Sequence, residues 1–244
     1  MKTNYITVSI FALLFSIYCV QAQNTLQFEK KEIQFGEKYD TTKSTVYVEL
    51  QFTIPVVQSD TSSQKIRTQI LSAIFETPTD SVITDSATLG RIFFGEGDLL
   101  ESDWRVNREK VTTGRVLFTN TGIVSYGIDS YMYSGGAHGY SSVQYFVFDI
   151  KTGKHLTEDD IFTGNYQEVI TRIMLKELSK EDSLEEFYKD KIRPNGNFKI
   201  DETGITYFFN PYEIASYAKG SFEVFISRDS EALHDILKKD LFVD

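Results

Sequence analysis

Histidines are the side chains of this 244-residue chain best suited to acid–base or metal chemistry, and there are three of them. His138 lies in the glycine-rich segment SGGAHG, residues 134–139, between two stretches rich in tyrosine and phenylalanine. His155 and His234 share no helical or short-loop spacing with it, and no HExxH motif occurs. The histidine spacing therefore predicts no transition-metal site.

A catalytic triad at this segment would use His138 as general base, Ser134 as nucleophile and Asp129 to orient the imidazole. These residues follow one another along a strand and a loop, where alternate side chains face opposite sides, so the spacing does not suit a triad. No Gly-x-Ser-x-Gly elbow presents a serine either. We predict instead that the glycines form a turn and that the imidazole hydrogen-bonds the loop backbone, which favours a protein that is not an enzyme.

Two other polar segments could be mistaken for ligand sites. The acidic run over residues 158–160 lacks the alternating oxygen ligands and the distal glutamate of a calcium loop. Thr157 before it is a typical helix N-cap with acidic residues in the first turn. The segment GRIFFGEG, residues 90–97, has glycine spacing without the Lys-Ser/Thr of a phosphate-binding loop. We therefore predict no metal and no cofactor.

Hydrophobic periodicity predicts the elements that position these residues. Residues 44–54 alternate apolar and polar side chains, which indicates an antiparallel strand with one wet face. Residues 60–75 and 166–179 carry apolar stripes at helical spacing. Further predictions are an antiparallel meander over 111–150, strands near 204–209 and 222–226, and a helix over 229–241. The last strand of the meander, residues 143–150, is apolar on both faces, which predicts a central position between a helix layer and another layer. The pattern predicts an α+β fold, a largely antiparallel β-sheet with α-helices packed on it.

The N-terminus predicts export. Lys2 precedes an apolar run over residues 5–18, and Val20 and Ala22 are small residues at the positions that signal peptidase reads. We therefore predict a signal peptide over residues 1–22, cleavage near Ala22, and a secreted or periplasmic protein. No second long apolar run follows, so no membrane span is expected after cleavage.

Cys19 is the only cysteine, and it lies within the predicted signal peptide. Bulky Ile17 and Tyr18 stand where lipid attachment usually requires small residues, which argues against a lipoprotein. Cleavage near residue 22 would leave no thiol, which excludes disulfides and zinc–thiolate sites. It would also remove Lys2 and no acidic residue, so the net charge would change from −10 to −11. Such a charge repels nucleic acid and favours cationic partners.

Tyrosines concentrate around the glycine loop and again in YFFNPYEIASYAKG, residues 207–220. Tyrosine combines a large contact area with a hydroxyl, as recognition surfaces require, although such rings also fill cores. We expect Tyr212 and Tyr217 to anchor a partner. The residues predicted to contact a ligand or partner are Ser134, Gly135, Gly136, Ala137, His138, Gly139, Asn210, Pro211, Tyr212, Glu213 and Tyr217.

Two segments together resemble a known family. YMYSGGAHGYSSVQYFVFDIKTGKHLTEDDIF, residues 131–162, and GITYFFNPYEIASYAKGSFEVFI, residues 204–226, are similar to the RsiV-like domain. This domain forms the C-terminal half of the lysozyme-sensing anti-sigma factor RsiV and is part of some peptidoglycan deacetylases. The resemblance implies an N-terminal α+β companion domain over residues 23–123 and an RsiV-like α+β domain over residues 124–244.

What the resemblance implies about function is an extracytoplasmic binding module with lysozyme or a cell-wall glycan as its ligand. No anti-sigma segment or deacetylase domain is recognised in the sequence, so we expect neither activity. We therefore expect a non-enzymatic binding module of the bacterial cell envelope. The alternative is a hydrolase of cell-wall glycan or peptide that uses His138 as general base.

Overall fold

The computed structural model describes residues 26–36, 45–57, 60–95, 107–180 and 184–238. Its elements are β1 (Phe28–Gly36), β2 (Val46–Pro55), α1 (Thr61–Ile74), α2 (Ser86–Phe94), β3 (Arg108–Thr119), β4 (Ile123–Tyr133), β5 (Tyr140–Asp149), α3 (Glu158–Ile161), α4 (Tyr166–Leu178), β6 (Phe198–Asp201), β7 (Gly204–Phe209), β8 (Phe222–Ser227) and α5 (Glu231–His234). Short 3₁₀ turns cover Leu184–Glu186, Lys189–Lys191 and Tyr217–Lys219. The predicted signal peptide with Cys19 lies outside the described residues.

The strands form two sheets, one with the order β1-β2-β3-β4-β5 and one with the order β6-β7-β8. The pairings are mostly antiparallel, which confirms the predicted α+β class. Among the described residues, no helix is both long enough and apolar enough to cross a lipid bilayer.

The chain forms two compact units. The first comprises Met1–Arg115 and Ile128–Ser141, and the second comprises Val116–Gly127 and Ser142–Asp244. Strands β3, β4 and β5 therefore contribute residues to both units. The domain boundary predicted between residues 123 and 124 stays a prediction.

The core of the first unit joins β2 to α1. The alternation predicted for β2 is confirmed, because Leu50, Phe52 and Ile54 are buried. Helix α1 begins at Asp60, whose carboxylate accepts the Ser63 N–H at 2.8 Å. The predicted apolar stripe of α1 is buried and comprises Ile66, Ile70, Leu71 and Ile74. The strand and helix thus bury the two apolar faces that the sequence pattern predicts.

One neighbour of β2 differs from the prediction of antiparallel pairing. Strand β2 pairs antiparallel with β1 but parallel with β3. The chain between β2 and β3 contains both α1 and α2. Parallel strands need a long crossover connection of this kind. The residue pattern of β2 indicates only which of its faces is buried and not the direction of the neighbouring strand.

The second unit has its own apolar core beneath β6, β7 and β8, whose pairings are antiparallel. All six residues of β7 are buried, and α4 packs against β8. The stripe predicted on α4 is confirmed, because Ile170, Met174 and Leu178 are buried. Ser125 on β4 ties β6 to this core, since its hydroxyl donates to the Ile200 carbonyl at 2.5 Å and accepts the Ile200 N–H at 3.1 Å.

The prediction that β5 is central in its sheet is wrong, because β5 is the last strand of the five. Along its outer edge, the backbone of residues 154–156 pairs with Val147 and Asp149, and side-chain amides take the place of a further strand at Val143 and Tyr145. The Val143 N–H donates to Asn210 Oδ1 at 2.8 Å, and the Tyr145 N–H donates to Asn197 Oδ1 at 2.7 Å. Asn197 Nδ2 donates in return to the Val143 carbonyl at 2.9 Å. These partners satisfy backbone groups along the outer edge, so β5 does not need a further strand there.

The C-terminal helix is shorter than predicted. It ends at His234, and the residues that follow form a turn whose backbone also hydrogen-bonds the end of α3. The Thr163 N–H donates to the Ile236 carbonyl at 2.7 Å, and the Lys238 N–H donates to the Ile161 carbonyl at 2.8 Å. The predicted helix beyond residue 238 lies outside the described residues.

The N-cap interpretation of the acidic run is confirmed. The Thr157 N–H donates to the Asp160 carboxylate at 3.0 Å, which closes a capping box at the start of α3. Hydrogen bonds from the Lys154 ammonium and from Thr157 lower the pKa of Asp160 to about 2. The acidic residues therefore stabilise a helix end.

Candidate functional site

The SGGAHG segment connects β4 to β5 in the first unit. Gly135 and Gly136 have φ angles of 106° and 99°, which favour glycine strongly. The Tyr133 hydroxyl donates to the Gly136 carbonyl at 2.9 Å, and His138 Nδ1 donates to the Gly139 carbonyl at 2.9 Å. The prediction that the glycines turn the chain and that the imidazole hydrogen-bonds the loop backbone is confirmed.

A cavity of about 330 Å³ lies beside this loop. Its lining consists of Thr45, Tyr47, Asn107, Arg108, Glu109, Tyr131, Tyr133, Ala137, His138 and Gly139. Of the six loop residues predicted to contact a ligand, the last three line the cavity, whereas Ser134, Gly135 and Gly136 do not belong to the lining. All lining residues belong to the first unit.

Pairing of β2 with β3 assembles the opposite side of the cavity. The parallel register places Tyr47 beside Glu109. At the start of these strands, the Thr45 hydroxyl donates to Asn107 Oδ1 at 2.9 Å, and the Arg108 N–H donates to the Thr45 carbonyl at 2.9 Å. None of these residues was predicted to bind a ligand, because 62 residues separate Thr45 from Asn107 and only the strand register brings them together.

The glycine at position 139 makes room for one wall of the cavity. A Cβ atom at Gly139 would lie 2.4 Å from the ring and hydroxyl of Tyr131. Any larger residue at this position would therefore displace the Tyr131 ring. The loop glycines thus serve two purposes, since Gly135 and Gly136 permit the turn and Gly139 admits an aromatic side chain.

The second predicted segment, residues 210–217, belongs to the second unit. Asn210 is only 8% exposed and binds the edge of β5, as described above. Its N–H donates to the Glu213 carboxylate at 3.0 Å, which closes the turn that contains Tyr212. Tyr212 is 54% exposed, has a φ angle of 73°, and places its ring centroid 5.2 Å from that of Tyr217. The turn therefore presents a pair of aromatic rings on a fixed backbone.

A third tyrosine that was not predicted, the exposed Tyr188, belongs to a segment whose backbone binds the chain just beyond this turn. The Tyr188 N–H donates to the Ile214 carbonyl at 2.8 Å, two residues beyond Tyr212. The Tyr188 side chain is exposed, and the Lys191 ammonium lies 5.1 Å from its ring centroid. We call Tyr188, Tyr212 and Tyr217 the tyrosine surface. Sequence reasoning missed Tyr188 because it lies outside the tyrosine-rich segment.

Burial shifts the pKa values of several titratable groups of the second unit. Burial raises the pKa of Glu158, whose carboxylate accepts the Gly196 N–H at 3.0 Å. The neighbouring Tyr207 hydroxyl is fully buried without a hydrogen-bond partner of normal geometry, and burial beside Glu158 raises its pKa well above the usual value. Burial lowers the pKa of His155, which packs against Phe146 and Phe148. In the described ranges, no three His, Cys, Asp or Glu side chains are grouped so as to hold a metal ion.

Part of the chain matches a known domain family. Residues 159–229 match a domain family described as "Protein of unknown function (DUF3298)". No curated protein matches the chain. The predicted resemblance is thus supported at the level of a DUF3298 domain.

Solved structures of two DUF3298 family proteins are similar to this chain. A member from Bacteroides fragilis is 24% identical, with a TM-score of 0.70 over 89% of this chain and 96% of that chain. A protein from Pseudomonas aeruginosa is 16% identical, with a TM-score of 0.63 over 88% of this chain and 95% of that chain. At these identities the similarity establishes the fold alone.

Proposed function

We propose that this protein is an exported, non-enzymatic binding module of the bacterial cell envelope, whose RsiV-like part binds a basic protein such as lysozyme. The conformation of Tyr212 carries the proposal. A bulky residue at a φ angle of 73° is unusual, and such strain persists where the surrounding structure enforces it, often at binding sites. Here the Asn210–Glu213 turn enforces it and leaves more than half of the residue exposed.

The tyrosine surface has the composition of a binding hot spot. Tyrosine supplies a large contact area at low conformational cost, and tyrosines are enriched among residues that dominate binding energy. The Tyr212 and Tyr217 rings already contact each other, so little side-chain order must be gained on binding. A cell-wall glycan is the other ligand that the resemblance implies, and aromatic rings would suit it as well.

The charge of the protein supports a cationic partner. Removal of residues 1–22 leaves a net charge of −11, which speeds association with a basic protein at low ionic strength. Binding of lysozyme should therefore weaken as salt is added, mainly through a slower association rate.

Calorimetric titration of residues 23–244 with lysozyme tests the proposal. We expect binding in the wild type and a loss of about thirtyfold or more in affinity for Tyr212→Asn, since truncation of a hot-spot ring costs about 2 kcal/mol. Asparagine tolerates positive φ, so this variant should unfold at the same temperature as the wild type or higher. Tyr140→Ala, which removes an exposed tyrosine of the first unit, is the matched control and should bind normally.

The titration has clear adverse outcomes. Absence of a heat signal at micromolar protein would exclude lysozyme as the partner. Equal affinity of the wild type and Tyr212→Asn would exclude the tyrosine surface as the binding site. Co-sedimentation of the wild type with purified cell-wall sacculi tests the glycan directly. Co-sedimentation with sacculi without binding of lysozyme would show that the ligand is the cell-wall glycan.

A hydrolase of cell-wall glycan or peptide is the second candidate function. The observation that favours it is that His138 and the Glu109 carboxylate line the same cavity. Against it, the His138 side chain is exposed and its Nδ1 atom already donates to the Gly139 carbonyl. Release of soluble fragments from sacculi that disappears in a folded His138→Ala variant would replace binding by hydrolysis as the function.

A further inference from the structure

We infer that the cavity beside the SGGAHG loop binds a sugar residue that carries a carboxylate. This goes beyond the proposed function, because the residues that carry it belong to the first unit and not to the tyrosine surface. It assigns a small-molecule site where the sequence predicts only a contact loop.

Hydrogen-bond donors without partners line the cavity. Among the described residues, the Arg108 guanidinium makes no ion pair or hydrogen bond, and the Tyr131 hydroxyl makes no hydrogen bond either. The side-chain NH₂ of Asn107 likewise has no acceptor in the described part of the chain, although Asn107 Oδ1 accepts from Thr45. The cavity therefore offers an arginine, an amide and a phenol to a ligand rich in acceptors.

The other polar groups of the lining are largely engaged within the protein. The Tyr47 hydroxyl donates to Glu49 and accepts from Gln34 Nε2 at 2.8 Å. The Tyr133 hydroxyl donates to the Gly136 carbonyl. These two tyrosines therefore contribute ring surface to the lining in addition to the ring of Tyr131. Aromatic surface next to polar donors suits a ligand with both apolar and polar faces.

These groups together match a carboxylated sugar. The planar guanidinium of Arg108 fits a carboxylate in a two-pronged hydrogen bond. Asn107 and Tyr131 can donate to ring or hydroxyl oxygens, and the Glu109 carboxylate can accept from sugar hydroxyls. The tyrosine rings suit the C–H faces of a pyranose. A volume of about 330 Å³ lies at the lower end of the range for small-molecule sites and suits one or two sugar residues.

Two other ligand classes fit less well. A purely apolar ligand would bury the donors of Arg108, Asn107 and Tyr131 without partners, which is costly. A phosphate dianion would meet the Glu109 carboxylate, and the lining provides a single arginine to balance both charges. A sugar ring with a single carboxylate provides acceptors for these donors, and its hydroxyls can donate to the Glu109 carboxylate.

Matched pairs of sugars test the inference by NMR titration of residues 23–244. Glucuronic acid is compared with glucose, and N-acetylmuramic acid with N-acetylglucosamine, because each pair differs in a carboxylate. We expect each acid to bind about tenfold to a hundredfold more tightly than its neutral partner, the usual contribution of a charged hydrogen bond. The two pairs also distinguish uronic acids from wall muramic acid as the source of the ligand.

Two variants and a control complete the test. Arg108→Gln should abolish the preference for the acid, and Gly139→Ala should weaken binding of both sugars, since the new Cβ displaces the Tyr131 ring. Arg115→Gln is the control, because Arg115 lies on the same strand, is paired with Asp129 and does not line the cavity. Thermal unfolding of each variant confirms that it is folded.

Three results would overturn the inference. These are equal affinity for acid and neutral sugars, tighter binding of inorganic phosphate than of either acid, and no binding of any sugar up to about 10 mM. Lysozyme binding and its loss in Tyr212→Asn are measured separately, so the failure of this site and the failure of the proposed function can be distinguished.

Discussion

The charged side chain of Lys110 is buried in the first unit. Removal of its charge and removal of the charge of its partner Glu76 should have unequal effects on stability. The side chain is 2% exposed, and its ammonium is hydrogen-bonded to the Glu76 carboxylate and, at 2.7 Å, to the Ser130 hydroxyl. The ring centroid of Phe93 lies 5.2 Å from the ammonium. Glu76 is 46% exposed. We predict that removal of the carboxylate destabilises the protein more than removal of the lysine charge.

The magnitudes follow from burial. Removing one partner of a buried ion pair costs about 3–5 kcal/mol, because the remaining charge stays buried without compensation. Water can reach the position of Glu76, and Ser130 and Phe93 remain, so we expect about 2–3 kcal/mol for the loss of Glu76. Lys110→Met keeps an unbranched apolar chain against Phe93 and leaves Glu76 solvated. This change should stay within about 1 kcal/mol of the wild type.

Urea unfolding followed by circular dichroism measures both changes. Glu76→Asn is the suitable variant, because Glu76 has a φ angle of 52° and asparagine tolerates positive φ. The double variant with Lys110→Met should recover most of the stability lost by Glu76→Asn alone. Arg115→Gln, which breaks an exposed pair with Asp129, is the control and should change stability by less than about 1 kcal/mol. The reasoning is refuted if Lys110→Met costs more than Glu76→Asn.

Two further predictions concern the second unit. Asn197→Ala should lower the free energy of unfolding by about 1–3 kcal/mol and speed hydrogen exchange at the Tyr145 amide, because that N–H loses its acceptor and the Val143 carbonyl keeps only the Asn210 amide, at 3.2 Å; unchanged exchange at Tyr145 would contradict this. Because hydrogen bonds from Lys154 and Thr157 lower the pKa of Asp160 from 3.8 to about 2, its ionised form stabilises the folded state above pH 4, and this contribution is lost as the pH falls from about 4 to about 2. Asp160→Asn should therefore lose less stability than the wild type over that interval in acid-unfolding curves, and parallel curves would show that the residue does not contribute.

Elements with a clear hydrophobic period could be predicted from the sequence. Strand β2 and helices α1 and α4 each bury one face, and burial of one face imposes the period. Strand β1 was not predicted, because its sequence FEKKEIQFG has only Ile33 fully buried. Helix α2 was not predicted either, since it spans nine residues and has a glycine at its centre.

The loop side of the cavity could be predicted from the sequence, whereas the side formed by β2 and β3 could not. The SGGAHG loop stands out because its glycines and its histidine are unusual between tyrosine-rich strands. Thr45, Asn107 and Arg108 carry no comparable signal, because the parallel register between β2 and β3 alone brings them to the loop. A residue pattern indicates which face of a strand is buried, but it does not indicate which strand lies beside it or in which register they pair. The same limit explains why β5 was predicted to be central, although its outer edge is satisfied by two asparagine side chains and by the backbone of residues 154–156.

The distribution of the two units along the polypeptide constrains how either could be produced by itself. The shortest continuous stretch that encodes the whole first unit runs to Ser141 and includes Val116–Gly127 of the second. The shortest stretch for the second unit begins at Val116 and includes Ile128–Ser141 of the first. No fragment made by a single cut therefore contains one whole unit without part of the other. Fragments made for biophysical work should retain this central interval, and exchange between homologous genes would have to transfer it intact.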